Sequence, residues 1–135
     1  MAAKILEHCN TIEECYEFML AYAAQGRAGD ESDQPGAQIR EFLRRAASAI
    51  AGLLEEGSKF VKERGLEPAE KFQSFLEVLD RDARSSLASM DLVLAQPLIS
   101  SQLVDNLNAS IHLRALLTDL FLLGEVLRSQ VASKA

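Results

Sequence analysis

Between Phe72 and Leu94, apolar side chains recur every three or four residues: Phe72, Phe75, Leu76, Leu79, Ala83, Leu87, Met90, Val93 and Leu94. Pro97 then forbids a further turn. An α-helix places such a series on one face, because its 3.6-residue period brings positions i, i+3 and i+4 together. Pro68, with its preset φ, suits the first turn of this helix. A preceding run has the same period: Ile39, Phe42, Leu43, Ala46, Ile50, Leu53, Leu54, Phe60 and Val61. It ends at Gly65, after a last turn rich in Lys59, Lys62 and Arg64, whose charges complement the helix dipole. At a rise of about 1.5 Å per residue both helices are roughly 40 Å long, and matched lengths favour antiparallel packing. Gly52 and Gly57 interrupt the earlier helix at about 1 kcal/mol each relative to Ala. Gly57 lies on the apolar stripe, which points to close approach of a neighbouring helix.

Upstream, Thr11-Ile12-Glu13-Glu14 fits a capping box, in which a hydroxyl and a carboxylate satisfy the free amides of a helix start. Ile12, Cys15, Tyr16, Met19, Tyr22 and Ala23 then share a face, and Gly26 stands where a left-handed stop is expected. The first firm helix therefore runs from about Ile12 to Gln25, with residues 3–9 available for a short extra N-terminal one. Residues 26–36 contain three glycines, one proline and no apolar residue larger than Ala, the composition of a flexible, solvated connector.

The last segment, from Ser100 or Ser101 to about Val131, changes face. Leu103, Val104, Leu107 and Ile111 align early, whereas Leu113, Leu116, Leu120, Leu123 and Leu127 lie on the opposite side of an ideal helix. Either the helix breaks near Asn106–Ser110, or it is continuous and its halves face different neighbours. The run Leu120-Phe121-Leu122-Leu123 leaves no polar side over a full turn, and a helix that is apolar all round is buried all round. Four helices in a small monomer rarely cover every side of one of them, so Leu116, Leu117, Phe121 and Leu122 are read as a self-association surface.

No strand pattern, internal repeat or low-complexity tract is visible. The expected fold is all-α: an up-and-down four-helix bundle in one domain spanning residues 1–135. Fourteen Lys and Arg against twenty Asp and Glu give a net charge of −6, which argues against nucleic acid as a partner. No stretch of about eighteen uncharged apolar residues occurs, so no membrane span is expected, and no secretory leader is visible at the start. Two cysteines cannot form a disulfide-dense scaffold, which makes a reducing cytoplasm the default location.

Templates for chemistry fail one by one. A di-metal bundle needs Glu-x-x-His twice, but Ile5 precedes His8 and Ala109 precedes His112 at that spacing. Cys9 and Cys15 are too far apart for a haem attachment motif, and His8, Cys9 and Cys15 with Glu13 or Glu14 lack the tight ligand pairs of structural zinc. No Gly-x-Ser-x-Gly elbow or glycine-rich phosphate loop is present. No metal or other cofactor is therefore expected. Cys15 sits on an apolar stripe, whereas Cys9 is the freer thiol and the candidate for reactivity.

His112 suggests a phosphotransfer role, although the residues two to four positions on are Arg114, Ala115 and Leu116. The hydrophobic-Lys-Gly pattern that follows the reactive histidine in histidine phosphotransfer domains is not there. Arg40, Arg44 and Arg45 form the one compact basic cluster, a docking point for an acidic partner protein or a phosphate-bearing ligand. The aromatics Phe42, Phe60, Phe72 and Phe75 could wall a small-ligand pocket. Taken together, these features lead us to expect a non-catalytic interaction protein, an accessory, adaptor or regulatory bundle, that forms homodimers through its last helix. Phosphotransfer through His112 and ligand binding stand as the alternatives.

Overall fold

The apolar stripes set the architecture. A computed structural model describes residues 2–30 and 34–134, and within them the chain forms five helices and no strand: α1 (Ala2–Ala23), α2 (Gln34–Arg64), α3 (Ala69–Leu94), α4 (Ser101–Ala109) and α5 (Ile111–Lys134). The fold is an all-α helical bundle. α1 packs on α2, α2 on α3 and α3 on α5, while α4 closes against α1, and α2 stays clear of both α4 and α5. Neighbours run antiparallel, as shown by Lys4 reaching Glu56 while Glu14 meets Arg45 along the α1–α2 seam.

The expected stripes form the core. Ile39, Leu43, Ala46, Ile50, Leu53, Phe60 and Val61 of α2 are buried, as are Phe72, Leu79, Ala83, Met90 and Val93 of α3. Gly65 ends α2 with a φ of 58°, a left-handed conformation that a side chain would resist.

The N-terminal expectation is corrected. No separate lead-in helix exists: α1 runs unbroken from Ala2, and Thr11 lies inside it rather than capping it. Ile5 and Cys9 extend the buried face of Ile12, Cys15, Met19 and Tyr22 by two turns. A mid-helix Thr costs only a few tenths of a kcal/mol, so this packing outweighs the local capping signal.

The connector also ends sooner than its composition suggests, because α2 already begins at Gln34. Pro35 is compatible with this start, since the first turn of a helix has no use for its missing N–H. Gly36 is buried against the loop: a Cβ there would lie 2.7 Å from the Asp30 carbonyl oxygen.

Of the two courses open to the last segment, the chain takes the break. Ser110 adopts an extended conformation (φ −61°, ψ 139°) between α4 and α5. Its hydroxyl accepts the Leu113 amide, much as the Ser100 hydroxyl accepts the Leu103 amide to start α4. Val104 and Leu107 can thus face α1 while Leu113, Leu116, Leu120, Leu123 and Leu127 turn into the same core from α5. Among the described residues, no helix is long and apolar enough to cross a membrane.

Candidate functional site: the exposed face of α5 and its groove

Once α5 has filled the core with its leucines, its remaining side carries apolar residues with no cover. Phe121 is 57% and Leu122 54% exposed, whereas Leu116 (0%) and Leu117 (5%) are core residues. The expected self-association surface therefore shrinks to Phe121 and Leu122. The break at Ser110 is the reason, because it rotates α5 until Leu116 and Leu117 face inward.

Leu122 borders a groove of about 240 Å³ between α3 and α5, lined by Lys71, Phe72, Phe75, Leu122, Leu123 and Val126. Its wall is apolar, the aliphatic stem of Lys71 included. Two of the four expected pocket aromatics, Phe72 and Phe75, lie here. The other two are elsewhere: Phe42 stacks on Phe18 with ring centroids 4.2 Å apart, and Phe60 is buried beneath the Arg64 guanidinium. A second hollow, about 250 Å³, lies between α2 and α3 beside Gly57, Leu76 and Asp80.

The basic cluster does not survive as a unit. Arg40 pairs with Asp30 and also donates to the carbonyls of Leu94 (3.1 Å), Gln96 (2.9 Å) and Pro97 (3.2 Å). It bridges the α1–α2 connector and the end of α3, with its donors directed into the fold. Arg45 lies 3.5 Å from Glu14 and over the Phe42 ring, and Arg44 is exposed.

Arg40 belongs to a polar hub that sequence reasoning missed. The Tyr22 hydroxyl donates to the Ile99 carbonyl (2.6 Å), and the Ser101 hydroxyl donates to the Tyr22 carbonyl (2.7 Å) while accepting the Arg27 amide (2.8 Å). The Ile99 amide donates to Asp30 at 2.7 Å. Burial pushes the Asp30 carboxyl up, but the Arg40 hydrogen bond, the Ile99 amide and the Arg40 charge outweigh it and hold the group below its ordinary value. The described part of the connector is thus stitched to the α3–α4 junction.

Cys9, expected to be the freer thiol, is buried, as Cys15 is. It is 4% exposed, and burial, reinforced by Glu13, pushes it up to about 11, which keeps it protonated. Burial raises Cys15 as well. His8 packs on α2, where a Cβ at Gly52 would meet its Nε2 at 2.6 Å. Gly52 therefore makes room for the His8 ring, whereas a Cβ at Gly57 would find Leu76 at a comfortable 3.7 Å.

His112 is exposed in the first turn of α5, and its carbonyl accepts the buried Ser86 hydroxyl at 3.0 Å. The face it would share with Asn108 on a continuous helix is not assembled, since Asn108 lies across the break, buried, and donates to the Met19 carbonyl. Among the described residues, no group of three or more His, Cys, Asp or Glu side chains is arranged to hold a metal ion. No protein-family model, curated protein or solved structure matches the chain.

Proposed function

We propose that the protein is a non-catalytic interaction module, an accessory or regulatory adaptor of the cytoplasm, that self-associates through the outer face of α5. One observation carries this reading: Phe121 and Leu122, adjacent and each more than half exposed, stand beside the Phe72–Phe75 groove. Consecutive large apolar residues next to an apolar groove form the kind of patch that marks contact surfaces, and aromatic residues at the centre of such patches dominate binding energy. A second copy is the occupant favoured here, because a two-fold pair sets Phe121 and Leu122 of each subunit against the same patch of the other. The buried, unpaired thiols suit a reducing compartment.

Light scattering across micromolar concentrations, with wild type beside Phe121→Glu and Leu122→Glu, tests this. The expected result is a species of twice the 14.8 kDa protomer mass for wild type and the protomer mass for both variants, with unchanged circular dichroism. A wild type that stays at protomer mass throughout overturns the dimer. The groove itself favours one further reading, an elongated apolar ligand lying between α3 and α5. Native mass spectrometry of the purified protein supports it by showing a retained mass and discards it by showing the bare chain.

A further inference from the structure

The groove between α3 and α5 joins an apolar floor to one unpaired charge. Phe72, Phe75, Leu122, Leu123 and Val126 line it, and the remaining lining residue is Lys71, in the first turn of α3. Among the described residues, Lys71 makes no ion pair. The acids beside it are engaged elsewhere or off its face. Glu67 accepts the Ala69 amide, Glu125 meets Arg128 at 3.5 Å, and Glu70, adjacent in sequence, projects from a different side of the helix. A lysine whose stem lies on an apolar wall keeps its ammonium at the water's edge. The groove thus presents apolar surface along its length and a positive charge toward the start of α3.

We propose that this groove binds a single aliphatic carboxylate of medium chain length, its tail along Phe75, Leu123 and Val126 and its head on the Lys71 ammonium. This rests on the groove being a site for an elongated apolar ligand, and it assigns that ligand a charge and a length. A volume of about 240 Å³ holds roughly eight groups of methylene size, at about 30 Å³ each, which is one chain and not two. Charge selects the anion. An alkylammonium would set like charges together at Lys71, and an alkanol would gain nothing from the ammonium. The hollow between α2 and α3 has a similar size, but Glu77 and Asp80 stand on its rim, so the same anion is repelled there. Phe121 does not line the groove, which keeps this site beside the centre of the self-association patch and not within it.

Two magnitudes follow. A fully buried methylene is worth about fourfold in affinity, and a groove open on one side shields about half of it, so each added methylene tightens binding about twofold. From hexanoate to decanoate the gain is therefore about sixteenfold. An ion pair at the water's edge adds about two- to fivefold at low ionic strength and fades as salt rises.

The test is a methyl NMR titration of wild type, Phe121→Ala and Lys71→Met at low ionic strength. The probes are octanoate, octanol and octyltrimethylammonium, with hexanoate and decanoate added for chain length. Phe121→Ala keeps every groove residue and prevents a second copy from masking the site, and Met keeps the aliphatic stem of Lys71 without its charge. In wild type, octanoate should bind at least about twofold tighter than octanol, and the cation weakest of the three. In Lys71→Met octanoate should bind no tighter than octanol. The methyls of Leu122, Leu123 and Val126 should shift while those of Leu53 and Leu54 stay in place. Octanol binding as tightly as octanoate, a preference unchanged in Lys71→Met, or equal affinity for hexanoate and decanoate overturns the carboxylate assignment and leaves the apolar-ligand reading standing. Failure of all probes to bind either wild type or Phe121→Ala overturns both.

Discussion

Replacing Arg40 by Ala separates a structural arginine from a docking one. In the fold the guanidinium pairs with Asp30, whose side chain is 9% exposed, and caps three carbonyls at the end of α3 and just beyond it. Removing one partner of a buried ion pair costs about 3–5 kcal/mol, because the other charge is left uncompensated. Arg40 itself is partly exposed and Asp30 keeps the Ile99 amide, so the low end applies, about 3 kcal/mol. With a urea m-value of about 2 kcal/mol per molar for a chain of this size, the unfolding midpoint falls by roughly 1.5 M. The thermal midpoint falls by about 10 °C.

Arg44→Ala, on the exposed face of the same helix, should stay within about 0.5 kcal/mol of wild type. The loss from Arg40→Ala should also depend on pH. Because the Asp30 carboxyl is held below its ordinary value, its contribution is present above about pH 4 and disappears as the pH falls through the folded-state titration. Arg40→Ala and Arg44→Ala unfolding together, within error of wild type, would refute the structural assignment and return Arg40 to the surface cluster.

Two glycines on α2 should respond in opposite directions. Gly57→Ala has room beside Leu76 and should stabilise by about 1 kcal/mol, whereas Gly36→Ala drives a methyl into the Asp30 carbonyl and should cost roughly 2 kcal/mol, both read from urea midpoints. The Cys9 thiol, buried and pushed up to about 11, should react with a thiol reagent at pH 7.5 only at the rate of unfolding, then immediately in denaturant; rapid labelling of the native protein would contradict its burial.

Periodicity made the helices legible because it reports a tertiary fact, one face per rod, and Ile39, Leu43, Leu79 and Met90 are all buried as their spacing requires. Local signals were less faithful. Thr11 looked like a cap because a capping box is defined by four residues, whereas the fate of Thr11 is set by the packing of Ile5 and Cys9 upstream of it. Arg40 looked like its neighbour Arg44 because composition cannot say which of two arginines faces a loop that folds back. That loop was itself read as solvated because its anchors are polar: Asp30 and backbone amides carry no hydropathy signal. The change of face after Ser110 was visible as two leucine sets on opposite sides. Choosing between a break and a second neighbour needed the third dimension, because both satisfy the same pattern.

The break at Ser110 links these observations. A continuous helix would leave either the Val104–Leu107 face or the Leu113–Leu127 face outside the core, and burying both in one protomer requires the chain to turn between them. The turn has a consequence on the far side of α5: whichever residues oppose the buried leucines are carried outward as a set. Phe121 and Leu122 are exposed for that reason. At the other end of the bundle, Tyr22, Asp30, Arg40 and Ser101 satisfy one another through fixed hydrogen bonds, so the two ends differ in kind. One is held by a network of polar groups, whereas the α3–α5 seam is mostly apolar contact, with the Ser86–His112 hydrogen bond near one end.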